Sequence, residues 1–203
     1  MSTRLENGAE RPLVTGIGGS ARPGSSTDRA LRVALAAAER AGARTSVFDG
    51  AFVARLPIYS PGSLDRTDEA RELLTAVRLS DGVLLASPGY HGGVSGVVKN
   101  AVDYLEDLRD DDRPYLEGRA VGCIVTALGW QAAANTLAGL RSIVHALRGW
   151  PTPLGVALNT AEDIFDPAGD CTDEKAALQL ELVARQVVGF AGMRHPVRIA
   201  DAS

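Results

Sequence analysis

The stretch Gly18-Gly19-Ser20-Ala21-Arg22-Pro23-Gly24-Ser25-Ser26-Thr27 carries the residue types needed to hold a phosphate. Small residues let the backbone approach an anion closely. Ser20, Ser25, Ser26 and Thr27 bring hydroxyl donors, and Arg22 brings a charged fork. The stretch also opens a segment of helical spacing, which would add free N–H groups and the positive end of a helix dipole. Each charge-assisted bond contributes about 1.5–3 kcal/mol, so a few of them hold a dianionic monophosphate. Two other phosphate motifs compete. There is no G-K-[ST], which excludes an NTPase P-loop. Residues 16–21 match G-x-G-x-x-A, with Asp49 where a ribose-binding acid would sit. Pro23-Gly24, however, would break the helix that this dinucleotide fingerprint starts at its central glycine. A glycine-rich turn with capping serines has the same composition, so the loop alone leaves that alternative open.

A second stretch, Ser87-Pro88-Gly89-Tyr90-His91-Gly92-Gly93, suits a flat heterocycle. Its proline fixes the entry and its glycines keep side chains out of the way. Exposed backbone donors and acceptors can then pair with the edge of a ring, with Tyr90 as a wall. Taken singly, Tyr90 reads as a half-buried aromatic and His91 as a solvent-facing loop residue.

The elements that must position these loops alternate along the chain. Apolar runs predict strands over 12–17, 82–86, 120–126 and 153–158, and a β-branched run predicts one over 44–48. Apolar residues at helical spacing predict helices over 27–41, 68–79, about 95–108, 132–147 and 173–191, the last capped by Thr172. Unbroken apolar strands alternating with helices imply a parallel sheet covered on both faces. The expected α/β architecture is a flavodoxin-like three-layer sandwich with a five-stranded sheet in the order 2-1-3-4-5. It forms a single domain over 1–203 with tails at 1–11 and about 193–203. In such a sheet the ligand sits beyond the carboxyl ends of the strands, where the winding direction switches. The loops after Ile17, Ala86 and Thr126 are therefore the ones to inspect. The two stretches occupy neighbouring strand ends, which points to one ligand with a phosphate at one end and a flat ring at the other. FMN has that form.

The same residues resemble the NADPH-dependent FMN reductases. Residues 19–27 resemble that family's phosphate loop. Residues 87–104, SPGYHGGVSGVVKNAVDY, resemble its second motif, S-P-E-Y-N-G-S-x-x-G-x-L-K-N-A-x-D-W. The likeness runs from about Leu13 to Leu158, with Gly89 where many members have glutamate and His91 where many have asparagine. The resemblance implies that Ser20, Arg22, Ser25 and Thr27, with Ser26 close by, bind the phosphate. It implies that Pro88, Gly89, Tyr90, His91 and Gly92 line the ring, with Gly129 in a further glycine loop beside it. Trp130 reads as a packing aromatic ahead of a ring-stacking or subunit-contact residue. Lys99 and Asn100 read as helix-surface or interface residues. The implied chemistry is hydride transfer from NADPH or NADH to FMN and on to a small-molecule acceptor, with no protein acid or base required. A homodimer or homotetramer, and a flavin-dependent monooxygenase as partner, follow from the same resemblance.

Composition narrows the alternatives. A net charge of −4 without a basic run offers no field for nucleic acid or anionic membrane. Two cysteines without C-x-x-C and three scattered histidines suggest neither a disulfide framework nor a metal site, which suits the cytoplasm. Cys123 reads as core and Cys171 as an inert loop residue. Three functions remain: an NAD(P)H:FMN reductase, a quinone, azo, nitro or chromate reductase that keeps its FMN, and a flavodoxin-like electron carrier without enzymatic activity. NAD(P)H oxidation in the presence of free FMN separates the carrier from the enzymes.

Overall fold

Four parallel strands form the centre of the molecule: β1 (Leu13–Gly18), β2 (Arg44–Phe48), β3 (Gly82–Tyr90) and β5 (Ala120–Ala127). The computed structural model describes residues 11–63 and 65–194, the last of these by its backbone alone. Most of both expected tails therefore lies outside the described residues. The sheet runs β2-β1-β3-β5 and ends on an edge made of two short pieces, β6 (Trp150–Pro151) and β7 (Val156–Asn159), both parallel to β5. This is the expected 2-1-3-4-5 winding with its last strand split. A further two-residue piece, β4 (Gly93–Val94), pairs antiparallel with the end of β3. The sheet therefore has seven strands rather than five.

The split is a change of register. Ala120 and Val121 of β5 face Trp150 and Pro151, but Ile124 already faces Val156, so the edge carries two residues more than β5 between those pairs. Trp150 and Thr152 donate their N–H groups to Arg119 O (2.9 Å) and Val121 O (3.0 Å), so the ladder asks no donor of Pro151, and proline is tolerated at an edge or a bulge. The bulged groups find other partners. Leu154 N–H donates to Gln186 Oε1 (3.0 Å), and Arg141 Nη1 donates to Thr152 O (2.7 Å).

Side chains leave β3 alternately, as strand geometry requires. Leu84, with Val14 and Ile124 from its neighbours, packs under α1 (Ser26–Arg40) and α6 (Glu174–Arg194), against Leu31, Leu35, Leu180 and Val183. Val83 and Leu85, with Val121 and Val125, pack under α3 (Asp68–Leu79), α4 (Gly96–Asp103) and α5 (Trp130–Ala146). Each such leucine or valine contributes about 1.5–3 kcal/mol on burial.

Four boundaries differ from the periodicity. The helix expected over about 95–108 tightens to a 3-10 turn at Tyr104–Leu108. β3 continues past the expected stop as far as Tyr90, because β4 folds back on its end. A one-turn helix, α2 (Gly50–Val53), follows β2, and Asp49 caps it by accepting the Phe52 N–H (3.1 Å). α6 is capped by Asp173, whose Oδ1 accepts the Ala176 N–H (2.8 Å), not by Thr172.

Candidate cofactor site

β1 delivers its loop through two glycines in the left-handed region, Gly18 (φ +127°) and Gly19 (φ +117°). Gly19 N–H donates to Ala86 O (3.1 Å), so the exit of β1 is tied to the exit of β3. The loop then runs to Ser25, the N-cap of α1, whose Oγ accepts the Asp28 N–H (3.2 Å). Ser20 Oγ accepts the Arg22 N–H (3.2 Å) and lies 3.4 Å from Tyr90 Oη, where the two loops meet. Thr27 Oγ1 and Thr126 Oγ1 share a buried hydrogen bond of 2.6 Å, which ties α1 to the end of β5. The Arg22 side chain is exposed and makes no hydrogen bond or ion pair among the described residues.

The second loop is a two-residue hairpin. Tyr90 pairs with Gly93, and His91 (φ +51°) and Gly92 (φ +81°) form its tip. Positive φ at both central positions belongs to a type I′ turn, for which Asn-Gly is the usual pair. Histidine also visits this region more readily than most residues, so the backbone explains how His91 replaces the family's asparagine. Ser87 Oγ accepts the Ser95 N–H (3.0 Å) and holds the hairpin to the start of α4. Gly89 lies against α5: a Cβ there would sit 2.8 Å from Thr136 Oγ1 and 3.2 Å from Ala127 Cβ. A side chain such as the family's glutamate therefore needs the Thr136 hydroxyl to move aside.

Both loops line one cavity of about 390 Å³. Ser20, Arg22, Ser25, Ser26 and Thr27 lie on one side, and Pro88, Gly89 and Tyr90 on the other. His91 and Gly92 at the hairpin tip, and Gly129 at the N-cap of α5, are not part of this lining. Thr126, Ala127, Leu128, Ala132 and Thr160 complete it. The strand-end rule had marked the loop after Thr126, but no motif singled out these residues, because their types are ordinary. Arg22 is the one charged side chain among the described residues of the lining, so the local field favours an anion. A larger cleft of about 630 Å³ lies on the opposite side of the phosphate loop and includes Asp28, Asp49 and Asp170. Arg29 and Arg32 line it too, but Arg32 pairs with Asp49 and Arg29 donates to Asp166 O, so three acids against two engaged cations make it the poorer host for a phosphate.

Several residues differ from their expected places. Trp130 is 65% exposed and Leu128 82%, so Trp130 is not a packing aromatic within this chain. Lys99 is a surface residue paired with Asp103, but Asn100 is buried and structural. Asn100 Oδ1 accepts the Tyr59 N–H (2.8 Å), and Nδ2 donates to Pro57 O (2.8 Å). Asn100→Ala takes the acceptor from the Tyr59 N–H, while Pro57 O keeps the Tyr104 hydroxyl (3.0 Å), and is expected to cost about 2 kcal/mol, on the order of 5 °C in a thermal melt. Thr136 Oγ1 is fully buried and has no hydrogen-bond partner among the described residues. Thr136→Val removes that hydroxyl and is expected to raise stability by about 1 kcal/mol, which a denaturant titration would show. Cys123 is core, and burial pushes its thiol up to about 12. Asp49, the rival ribose acid, caps α2 and pairs with Arg32 (2.7 Å). Among the described residues no His, Cys, Asp or Glu group is placed to hold a metal, and no helix is long and apolar enough to cross a membrane.

Comparison with known proteins bears on the family and the fold. The FMN-dependent NADPH-azoreductase of Staphylococcus haemolyticus is 26% identical over 182 residues, spanning 86% of this chain and 92% of that one. The enzyme of the same name from Staphylococcus aureus is 29% identical over 122 residues, 59% of this chain and 61% of its own. Among solved structures, the flavoenzyme NAD(P)H:(acceptor) oxidoreductase FerB from Paracoccus denitrificans superposes with a TM-score of 0.75 at 22% identity, covering 91% of this chain and 98% of that one. An oxidoreductase from Corynebacterium diphtheriae gives 0.71 at 20% identity, covering 90% and 98%. The family profile of the NADPH-dependent FMN reductases matches residues 12–163, from the start of β1 to beyond β7 and through both loops, and the chain belongs to that family of FMN-dependent NAD(P)H oxidoreductases.

Proposed function

We propose that the chain binds FMN in the 390 Å³ cavity and acts most simply as an NAD(P)H:FMN reductase. The observation that carries this reading is the single cavity shared by the phosphate-type loop and the ring-type hairpin. The residues fit the group. Arg22 and the Ser20 and Ser26 hydroxyls face the phosphate end, with the N-terminal N–H groups of α1 behind them. Pro88, Ala127, Leu128 and Ala132 give the ring end apolar walls, and Tyr90 stands half-exposed at the mouth.

When bound, FMN supplies the ring that accepts a hydride from NADPH or NADH and passes the electrons on. The protein supplies position: the phosphate end anchors one side and the hairpin backbone the other. Arg22 favours the anion electrostatically. No side chain of the cavity needs to move a proton.

A second reading, an azo, quinone, nitro or chromate reductase that retains its FMN, draws support from the names of the Staphylococcus relatives. The wider proposal is one cytoplasmic domain over residues 1–203, in a homodimer or homotetramer. It reduces a small-molecule acceptor or hands reduced flavin to a monooxygenase. Exposed Trp130 and Leu128 near the cavity mouth supply apolar surface for a subunit contact.

The test is to follow the reduced-nicotinamide absorbance with NADPH and then NADH, with and without added FMN. Oxidation that depends on added FMN is expected of a flavin reductase, and a yellow protein that needs none is expected of the second reading. No oxidation of either donor with FMN present contradicts both.

A further inference from the structure

The first turn of α1 already holds an anion of its own. Asp28 is the third residue of that helix, after Ser26 and Thr27, and its carboxylate is half-buried behind the phosphate loop. Oδ2 accepts the Ser25 hydroxyl proton (2.9 Å), and Oδ1 accepts the Gly50 N–H (3.0 Å). A serine hydroxyl has one proton. With that proton on Asp28, and its lone pair already taking the Asp28 N–H, Ser25 Oγ has nothing to donate into the cavity it lines. The carboxylate also draws on the same positive helix end that a bound phosphate would use.

Asp28 makes no ion pair among the described residues, and Arg32 acts on it only at longer range. Arg32, one turn further on, pairs with Asp49 (2.7 Å), and Arg29 Nη1 donates to Asp166 O (2.8 Å). Burial raises the Asp28 carboxyl above its ordinary value, against the pull of the Gly50 N–H and the Ser25 hydroxyl. Asp28 contributes to the opposite cleft and not to the FMN-type cavity, so it touches the phosphate loop only from behind.

We infer that Asp28 is a positioning residue that holds FMN affinity down: it withholds the Ser25 proton and part of the helix dipole from the phosphate, so that the flavin exchanges. The inference rests on the cavity holding FMN, and it deepens that proposal by favouring FMN as a substrate that comes and goes. Asp28→Asn keeps an oxygen for the Gly50 N–H but can no longer take the Ser25 proton. Asp28→Ser is a second neutral variant at the same place, and Asp28→Glu keeps the charge.

Affinities for FMN and for riboflavin, which has the same rings without the phosphate, are to be measured by flavin fluorescence on all four proteins, alongside thermal melts. The expected result is FMN bound about tenfold more tightly by Asp28→Asn and Asp28→Ser. Riboflavin binding is expected to stay unchanged, and Asp28→Glu to show no tightening. FMN bound equally or more weakly by the neutral variants overturns the inference, as does tightening that riboflavin shares. If neither neutral variant folds, Asp28 is a structural tie and the inference also falls. A wild-type protein that binds neither flavin instead removes the proposed function.

Discussion

Replacing Arg22 by alanine is expected to weaken FMN binding by about tenfold to a hundredfold while leaving the protein as stable as before. The asymmetry follows from where the side chain sits. Arg22 is exposed and has no side-chain partner among the described residues, so no fold contact is lost with it. It is also the one charged group among the described residues of the cavity, so the phosphate loses its only ionic contact from a side chain. An FMN titration paired with a thermal melt checks both halves. Equal FMN affinity in the variant would take Arg22 out of the site, and a lowered melting temperature would make it a structural residue.

The second large effect is expected at Gly18. An alanine there would place its Cβ 1.8 Å from the Ala86 carbonyl oxygen, at a φ of +127° that L side chains rarely adopt. The clash is with backbone of the neighbouring strand, which cannot rotate away as a side chain would. Gly18 pairs with Ala86 in the β1–β3 ladder, and these two strands deliver both loops. Gly18→Ala is therefore expected to cost more than about 3 kcal/mol. A denaturant titration should show a strongly lowered midpoint or no folded protein. An alanine variant of normal stability would mean that the exit of β1 is not held as described.

The central fold was legible in the sequence because its signals are repetitive. Unbroken apolar runs at Val14, Leu84 and Ile124, alternating with helical spacing at Leu31, Leu35 and Val98, leave a doubly covered parallel sheet as the economical solution. What stayed hidden was set by single tertiary contacts. α2 is one turn long and owes its start to one carboxylate, Asp49, which the dinucleotide pattern offered as a ribose-binding acid. The last strand broke in two where the edge carries two residues more than β5, a change of register that no periodicity marks.

The candidate site shows the same division. Glycine, serine and arginine at their spacing marked the phosphate loop, and the proline–glycine run marked the hairpin. Their meeting in one cavity depends on Ser20 and Tyr90 lying close across neighbouring strand ends, seventy residues apart, which only the winding order could anticipate. Thr126, Leu128 and Thr160 have unremarkable types, so nothing short of the folded chain places them in the wall. The use of the Ser25 proton by Asp28 was equally invisible, since serine followed by aspartate three residues later is an ordinary cap.

A titration of the purified protein with FMN, read by flavin fluorescence and repeated with riboflavin, bears most directly on whether the two loops hold one mononucleotide between them. Saturable binding of both flavins, with FMN tighter by the contribution of its phosphate, is expected. Failure to bind either, or equal affinity for the two, would mean that the loop at residues 18–27 and the hairpin at 88–93 do not together form an FMN site.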